Sequence, residues 1–430
     1  MNVSEIAKNA NASALVLAHL STDLKNQALG MMADALEEHC DAILSANKKD
    51  LEFAENEGVA KALIARLALN DEKVRGMAKG IRSVVALEDP VGKVKSVMEM
   101  DQDMVVEQVT CPIGVIGAIF ESRPDAVPQI SSLCLKSGNA VILKGGREAQ
   151  NSNKVIVNLL VEAMSKVPGV PQSAVQMIET RADVVDMLKE EKYIHLIIPR
   201  GSNAFVKYIQ ENTRIPVLGH SEGVCHGYID QFADLDMAIR LCLDAKLQYP
   251  AVCNAMETLL VHKNFAEKVL PDLVEEFREK QVELVGCVKT CKVTPEVSPA
   301  CESDWDLEYN DLKLSIKIVD GFSEAVKFIN KHGSGHTDMI VTENRERAEQ
   351  FLNEVSSANV MWNASTRFAD GFKYGLGAEI GISTNRTHAR GPVGLEGMVI
   401  YKYKLYGNGQ IVADYSGDNA REFPHKPLPH

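Results

Sequence analysis

The stretch GVIGAIFESRPDAVPQISSLCLKSGNAVILKGG (residues 114–146) decides the fold. GVIGAIF reads as a buried strand and NAVILK as another. Between them, DAVPQISSLCLKSG carries apolar residues at helical spacing and ends at Gly138, a suitable helix terminator. The two glycines after NAVILK open onto a further helix, REAQNSNKVIVNLLVEAMSKV. The alternation continues with AVQMIE and the helix ADVVDMLKEE, then with IHLIIP and SNAFVKYIQENT. Strands alternating with helices predict a parallel sheet covered on both faces.

Upstream, residues 5–88 read as helix, with charges between apolar residues at helical spacing and Asn70 as a cap. Residues 91–111 change character: VKSVMEMDQDMVVEQVTC predicts a hairpin around Asp101-Gln102-Asp103. Past residue 225 the alternation restarts with HGYID and a helix around LDMAIRLCLDAK. The ending GMVIYKYKLYGNGQIVADY alternates over YKYKLY and turns at Gly-Asn-Gly, which predicts a strand pair outside the main core. The tail SGDNAREFPHKPLPH is expected to fray.

At 430 residues the chain is too long for one compact core, so about two or three domains are expected. A net charge of −13 argues against a broad nucleic-acid or anionic-membrane face. The N-terminus lacks the basic start and unbroken apolar run of a signal peptide, and no segment approaches the roughly 20 apolar residues that span a bilayer. A cytoplasmic chain with reduced cysteines is expected. Its nine cysteines form no paired framework. Cys287, Cys291 and Cys301, with His262 upstream, lack the tight pairs of a zinc site, so no metal is expected.

Chemistry is expected at two strand–turn–helix corners. In VILKGGREA an apolar run meets Lys144, Gly145 and a helix start, with Arg147 close by; in LIIPRGSNAF a strand meets Arg200, Gly201 and Ser202 before a helix. Glycine admits a ligand to the backbone, and a helix N-terminus presents free N–H groups to phosphates. Such corners also occur in every α/β protein, and neither a G-x-G-x-x-G nor a Walker sequence is present. A second place is YPAVCNAMETLLVH (Tyr249–His262), where Cys253 stands among small residues at what reads as a helix start. Such a setting lowers a thiol pKa, and Ala251, Asn254 and Ala255 leave room for a carbonyl. An inert core cysteine is the competing reading. HGSGHTDMIVTE (His332–Glu343) offers a turn between histidines, either a polar substrate loop or a plain structural one. NASTRFADGFKYGLGAEIGIS (Asn363–Ser383) is polar and glycine-rich. Its Arg367 can grip a carboxylate or phosphate, or pair with Asp370 at the surface.

These stretches, in this order, resemble the γ-glutamyl phosphate reductase family of the aldehyde dehydrogenase superfamily. The resemblance runs from about Ala10 to about Asp414 and is most specific in GVIGAIFESRPDAVPQ, GNAVILKGG, HGSGHTD, NASTRFADGF and LGAEIGIS followed by HARGPVGLEG. It implies an α/β, aldehyde dehydrogenase-like fold. Residues 1–90 and 112–224 would form a modified Rossmann cofactor domain, 225–395 an α/β catalytic domain, and 91–111 with 396–430 a small β oligomerisation arm and tail. A homodimer or homotetramer is implied; association with glutamate 5-kinase, the preceding enzyme of the pathway, is left open.

The resemblance also implies a reaction: NADPH-dependent reduction of L-glutamyl 5-phosphate to L-glutamate 5-semialdehyde through a thioester on Cys253, the second step of proline biosynthesis. Asn254 would flank the nucleophile, and Arg123 would stand where related enzymes complete the oxyanion hole with asparagine. Lys144, at the Gly145 turn, would contact the adenosine ribose and the 2′-phosphate, with Arg147 a second cation. Gly201 and Ser202 would open the helix beneath the pyrophosphate, and Glu308 would hold the nicotinamide ribose. His336 and Arg367 are chosen for the glutamyl carboxylate or phosphate on loop chemistry alone. In IPVLGHSEG, Val217 replaces the water-activating glutamate of ordinary aldehyde dehydrogenases, while Glu222 leaves a displaced base open. Val224 and Trp362 also differ from the family pattern, and Trp362 is placed to narrow the substrate pocket. Two other readings compete: an enzyme of the same superfamily that oxidises an aldehyde to an acid with NAD, and a silent scaffold that binds partners.

Overall fold

A computed structural model describes residues 2–220, 222–418 and 420–429. Met1, Ser221 of IPVLGHSEG, and Asn419 and His430 of the tail lie outside the described residues. The helical N-terminal region consists of Val3–Leu17, Thr22–Glu38, Cys40–Asn56, Lys61–Leu67 and Asp71–Ala86. Asn70 caps the last of these, its side chain accepting the Lys73 N–H at 2.8 Å. One face of that helix buries Val74, Met77, Ala78, Ile81 and Val84. At about 1.5–3 kcal/mol for each large apolar side chain, such burial is what fixes the helix in place.

These helices pack with a parallel sheet ordered Val175–Met177, Ala140–Lys144, Val115–Phe120, Leu196–Arg200. Val115–Phe120 is buried at every position, which is why it reads as a continuous apolar run. The helix Ala126–Lys136 ends as expected, with Gly138 at φ +74°. Beyond this sheet the chain runs alongside Leu196–Arg200, with Val217 bridging to Ile197. It then enters a second parallel sheet. The order there is Ser298–Pro299, Glu283–Gly286, Lys313–Val319, Met256–His262, Cys225–Ile229, Thr337–Val341, Asn359–Trp362. Side chains alternate between its faces: Ile229 and Leu259 join one core, Tyr228 and Leu260 the other. Ala378, Ile380, Val393, Leu395 and Met398 fold back onto the first core.

The hairpin forms from Val94–Asp101 and Met104–Pro112, with Asp103 at φ +58° in its turn. The C-terminal expectations need correction. Val399–Tyr406 is a single strand, paired to the hairpin from Val399↔Pro112 to Tyr406↔Val105. After Gly407-Asn408-Gly409 the chain makes a short 3-10 turn, Val412–Tyr415, and no returning strand. The tail does not fray over its described part: Lys426–Leu428 adds to Val94–Asp101, pairing Val97 with Leu428 and Glu99 with Lys426. Asp101 anchors it, accepting from Tyr415 Oη at 2.6 Å and pairing with Arg421 at 2.7 Å. Pro427 is tolerated because this is an edge strand, where a missing N–H costs little.

A further correction concerns Cys253. It does not begin a helix; it lies in a turn ahead of the strand Met256–His262, and the next helix, Lys263–Glu279, starts only after His262. METLLVH is buried at all seven positions, as befits a central strand. No helix among the described residues is long and apolar enough to cross a membrane.

Candidate active site

The carboxyl ends of the first sheet meet the amino ends of the second. From the first come Glu121 and Arg123 after Val115–Phe120, Lys144 at its strand end, and Arg200 with Gly201 and Ser202. From the second come Cys253, three residues ahead of Met256, and His336, immediately ahead of Thr337. Between them lies a cavity of about 460 Å³ lined by Arg123, Arg200, Gly201, Ser202, His220, Cys253, Glu308 and Glu379, among others.

Cys253 is held by its backbone. Its carbonyl oxygen accepts from Cys225 Sγ at 3.2 Å. Gly223 packs so close that a Cβ there would lie 2.2 Å from that oxygen, so any side chain would push the nucleophile loop away. Asn254 is buried and ties the loop to the following polar segment, Nδ2 donating to the Ala369 carbonyl at 2.9 Å; its Oδ1 has no partner among the described residues.

His220 lies beside the sulfur. Its Nδ1 is 2.8 Å from the carbonyl oxygen of Ile382. A carbonyl only accepts, so Nδ1 carries the proton and Nε2 keeps its lone pair. Burial holds the His220 pKa below the usual range, which favours the neutral ring. His336 is fully buried, with Nδ1 2.8 Å from Thr337 Oγ1 and Nε2 without a partner among the described residues. The two imidazoles meet edge to face at 4.8 Å between ring centroids. One ligand atom from each of His220, Cys253 and His336 lies within 4.8 Å of the others. A neutral imidazole next to a thiol can take its proton and leave a thiolate.

Arg200 donates to Gln129 Oε1 at 3.0 Å, and burial depresses its pKa without discharging a guanidinium. Arg123 lines both this cavity and an adjoining one of about 510 Å³ that Arg66, Asp125, Tyr249 and Phe372 also line. Arg367 lines neither. Its Nε donates to Gln248 Oε1 at 2.9 Å, and Asp370 instead accepts the N–H groups of Phe372 and Lys373, so the surface ion pair is not formed. Glu379 accepts the Gly371 N–H at 2.8 Å, and burial raises its carboxyl pKa. Glu222 is exposed and lines neither of these two cavities, and Val217 packs against the first core. Trp362 does not narrow this cavity: it packs against a catalytic-sheet core and donates to the Thr342 carbonyl at 2.9 Å. Val224 is buried.

A larger cavity, about 1260 Å³, adjoins the first through Leu63, Glu121 and Ser202. Lys144, Gly146 and Arg147 line it. The Lys144 ammonium makes no hydrogen bond or ion pair among the described residues, and burial lowers its pKa. Arg147 stacks over the Phe53 ring at 4.8 Å. Gly145 does not line it; a Cβ there would meet Asn153 Nδ2 at 2.0 Å, so it serves packing. Ser202 precedes the helix Asn203–Glu211 without capping it by its side chain. Glu121 accepts the Ser202 N–H at 3.1 Å, and Glu308 accepts from Asn203 Nδ2 at 2.8 Å. An unpaired lysine at one end and a helix start without a side-chain cap fit a phosphate-bearing dinucleotide. His220 and Glu379 are wall residues that the sequence reading does not single out. Arg200 stands at the corner read from sequence, beside Gly201, with no role assigned to it there.

The family model described as aldehyde dehydrogenase family matches residues 1–301. The chain is 54% identical to the γ-glutamyl phosphate reductase of Acetivibrio thermocellus over 428 residues, covering 100% of this chain and 99% of that one. It is 53% identical to the enzyme of that name from Methanococcoides burtonii over 436 residues, covering 99% and 97%. Its structure matches the crystal structure of γ-glutamyl phosphate reductase from Thermotoga maritima with a TM-score of 0.93 and 42% identity, covering 96% and 100%. An acetylating aldehyde dehydrogenase from Geobacillus thermoglucosidasius shares the fold at a TM-score of 0.66 and 17% identity, covering 95% and 97%.

Proposed function

The chain belongs to the aldehyde dehydrogenase family and, within it, to the γ-glutamyl phosphate reductases, and on that footing we propose that it reduces L-glutamyl 5-phosphate to L-glutamate 5-semialdehyde and phosphate. This is the second step of proline biosynthesis from glutamate. The observation that carries the reading is Cys253 facing the cavity where the two sheets meet.

When bound, the nicotinamide cofactor, read here as NADPH, supplies the two electrons that take the acyl group to the aldehyde level. The chain's own residues do the rest. His220 Nε2 takes the Cys253 thiol proton, and the thiolate attacks the acyl carbon. Arg123 and the backbone N–H groups of the nucleophile loop steady the oxyanion, and Arg123 with Arg200 balances the departing phosphate. Val217 stands where related enzymes carry the water-activating glutamate and cannot act as a base, so that route to thioester hydrolysis is closed. Reduction leaves a thiohemiacetal on Cys253, which collapses to the aldehyde and the free sulfur.

Lys144 and Arg147 would hold the adenosine end of NADPH, Gly201 and Ser202 the pyrophosphate, and Glu308 the nicotinamide ribose. His336 and Arg367 lie behind the cavities and are read as supports of the substrate loops. The domain division is proposed as 1–90 with 112–224, 225–395, and 91–111 with 396–430. Exposed Ile400, Tyr401, Tyr403 and Leu405 on the arm support a homo-oligomer. The cytoplasm is the proposed compartment.

The deciding assay runs the reaction backwards: supply glutamate 5-semialdehyde and NADP⁺, with and without phosphate, and follow reduced cofactor. Strict dependence on phosphate is expected. Equal rates without it would mean hydrolytic aldehyde oxidation instead.

A further inference from the structure

We propose that His220, Cys253 and His336 form an inhibitory site for one zinc-class divalent cation, which caps the nucleophile reversibly. Two imidazoles and a thiolate are the ligand set that zinc favours, and a fourth position facing the cavity remains for water. The ligand atoms lie within 4.8 Å of one another. Tetrahedral zinc, with bonds near 2.0–2.1 Å to nitrogen and 2.3 Å to sulfur, needs them about 3.3–3.5 Å apart. Cys253 and His220 are only partly buried, so modest side-chain rotation closes the difference.

Two independent details point the same way. Among the described residues His336 Nε2 is buried without a hydrogen-bond partner, an arrangement that a ligand would relieve. Its Nδ1 contact with Thr337, like the Nδ1 contact of His220 with Ile382, sets the tautomer that leaves Nε2 for the metal. The cysteines first considered for zinc do not converge in this way: Cys301 Sγ donates to Asp304, and Cys287 pairs with Thr290.

Binding replaces the thiol proton with the metal and releases that proton to solvent, so affinity rises with pH. The bound sulfur lone pair can no longer attack an acyl carbon. The site uses the nucleophile of the proposed reduction, but binding is measured without substrate, so the two readings fail separately.

The test uses the full-length protein, stripped by chelator and titrated with Co²⁺, then with Zn²⁺ in competition. One equivalent per chain, a near-ultraviolet thiolate-to-cobalt band, and displacement by Zn²⁺ are expected. Cys253→Ser should lose the band, and His220→Gln and His336→Gln should each weaken binding at least about tenfold. Zn²⁺ should also block alkylation of Cys253, read by peptide mass spectrometry, with chelator restoring it. Absence of the band, or unchanged affinity in His220→Gln, would overturn the proposal. Thermal unfolding checks each variant. If His336→Gln misfolds, the titrations of His220→Gln and Cys253→Ser decide.

Discussion

His220 donates through Nδ1 to the main-chain oxygen of Ile382 at 2.8 Å, and this contact fixes which nitrogen faces Cys253. Replacing His220 by Ala should slow proton removal from Cys253 and cut turnover by about 10²-fold. The rate of iodoacetamide labelling against pH reports the first effect. A labelling profile identical to the parent's would remove His220 from the activation step. In the parent, activity should fall as pH drops through the depressed His220 pKa, because the protonated ring cannot accept the thiol proton.

Cys253→Ala should abolish turnover while nucleotide affinity, read by fluorescence titration, stays as in the parent. Wild-type turnover in that variant would discard the thioester mechanism.

Lys144→Met should raise the KM for NADPH by about 10- to 100-fold, the worth of a lost charge-assisted contact, and disturb NADH much less. Steady-state kinetics with both cofactors measures the split. An equal loss for both would move the lysine from the 2′-phosphate to the ribose.

Lys246 and Glu257 form a fully buried ion pair at 2.6 Å behind the cavity, where Glu257 also accepts the Asn310 N–H. Burial pushes the Glu257 pKa up and the Lys246 pKa down. Lys246→Met alone strands a buried carboxylate and should cost about 3–5 kcal/mol, most of it recovered in Lys246→Met/Glu257→Leu. Denaturant unfolding of both variants tests this; equal losses would contradict it.

His195, His220 and His262 all have pKa values lowered by burial. The unfolded chain therefore binds more protons, and their contribution is fully present above the unfolded value of about 6.5 and is lost as pH falls below it. Thermal unfolding between pH 7.5 and about 5.5 should show the melting temperature falling with pH. A flat profile would show the rings regain solvent access before unfolding.

The alternating core was legible because strands buried on both faces are apolar throughout, as in Val115–Phe120. The setting of Cys253 was not, because METLLVH is apolar at most positions and carries no period that separates strand from helix. Lys426–Leu428 was hidden for another reason: three residues including a proline hold no strand signal, and only the hairpin edge gives them a place. His220 stood in view within IPVLGHSEG, but only the meeting of two sheets brings it to the sulfur.

The arm joins Val94–Asp101 to Lys426–Leu428, near opposite ends of the chain. On the ribosome, the hairpin emerges well before Lys426, and its outer strand stays unpaired until Lys426–Leu428 has been made. Completion of the arm thus waits for the last strand, and a polypeptide released before Lys426 presents an open β edge that invites self-association.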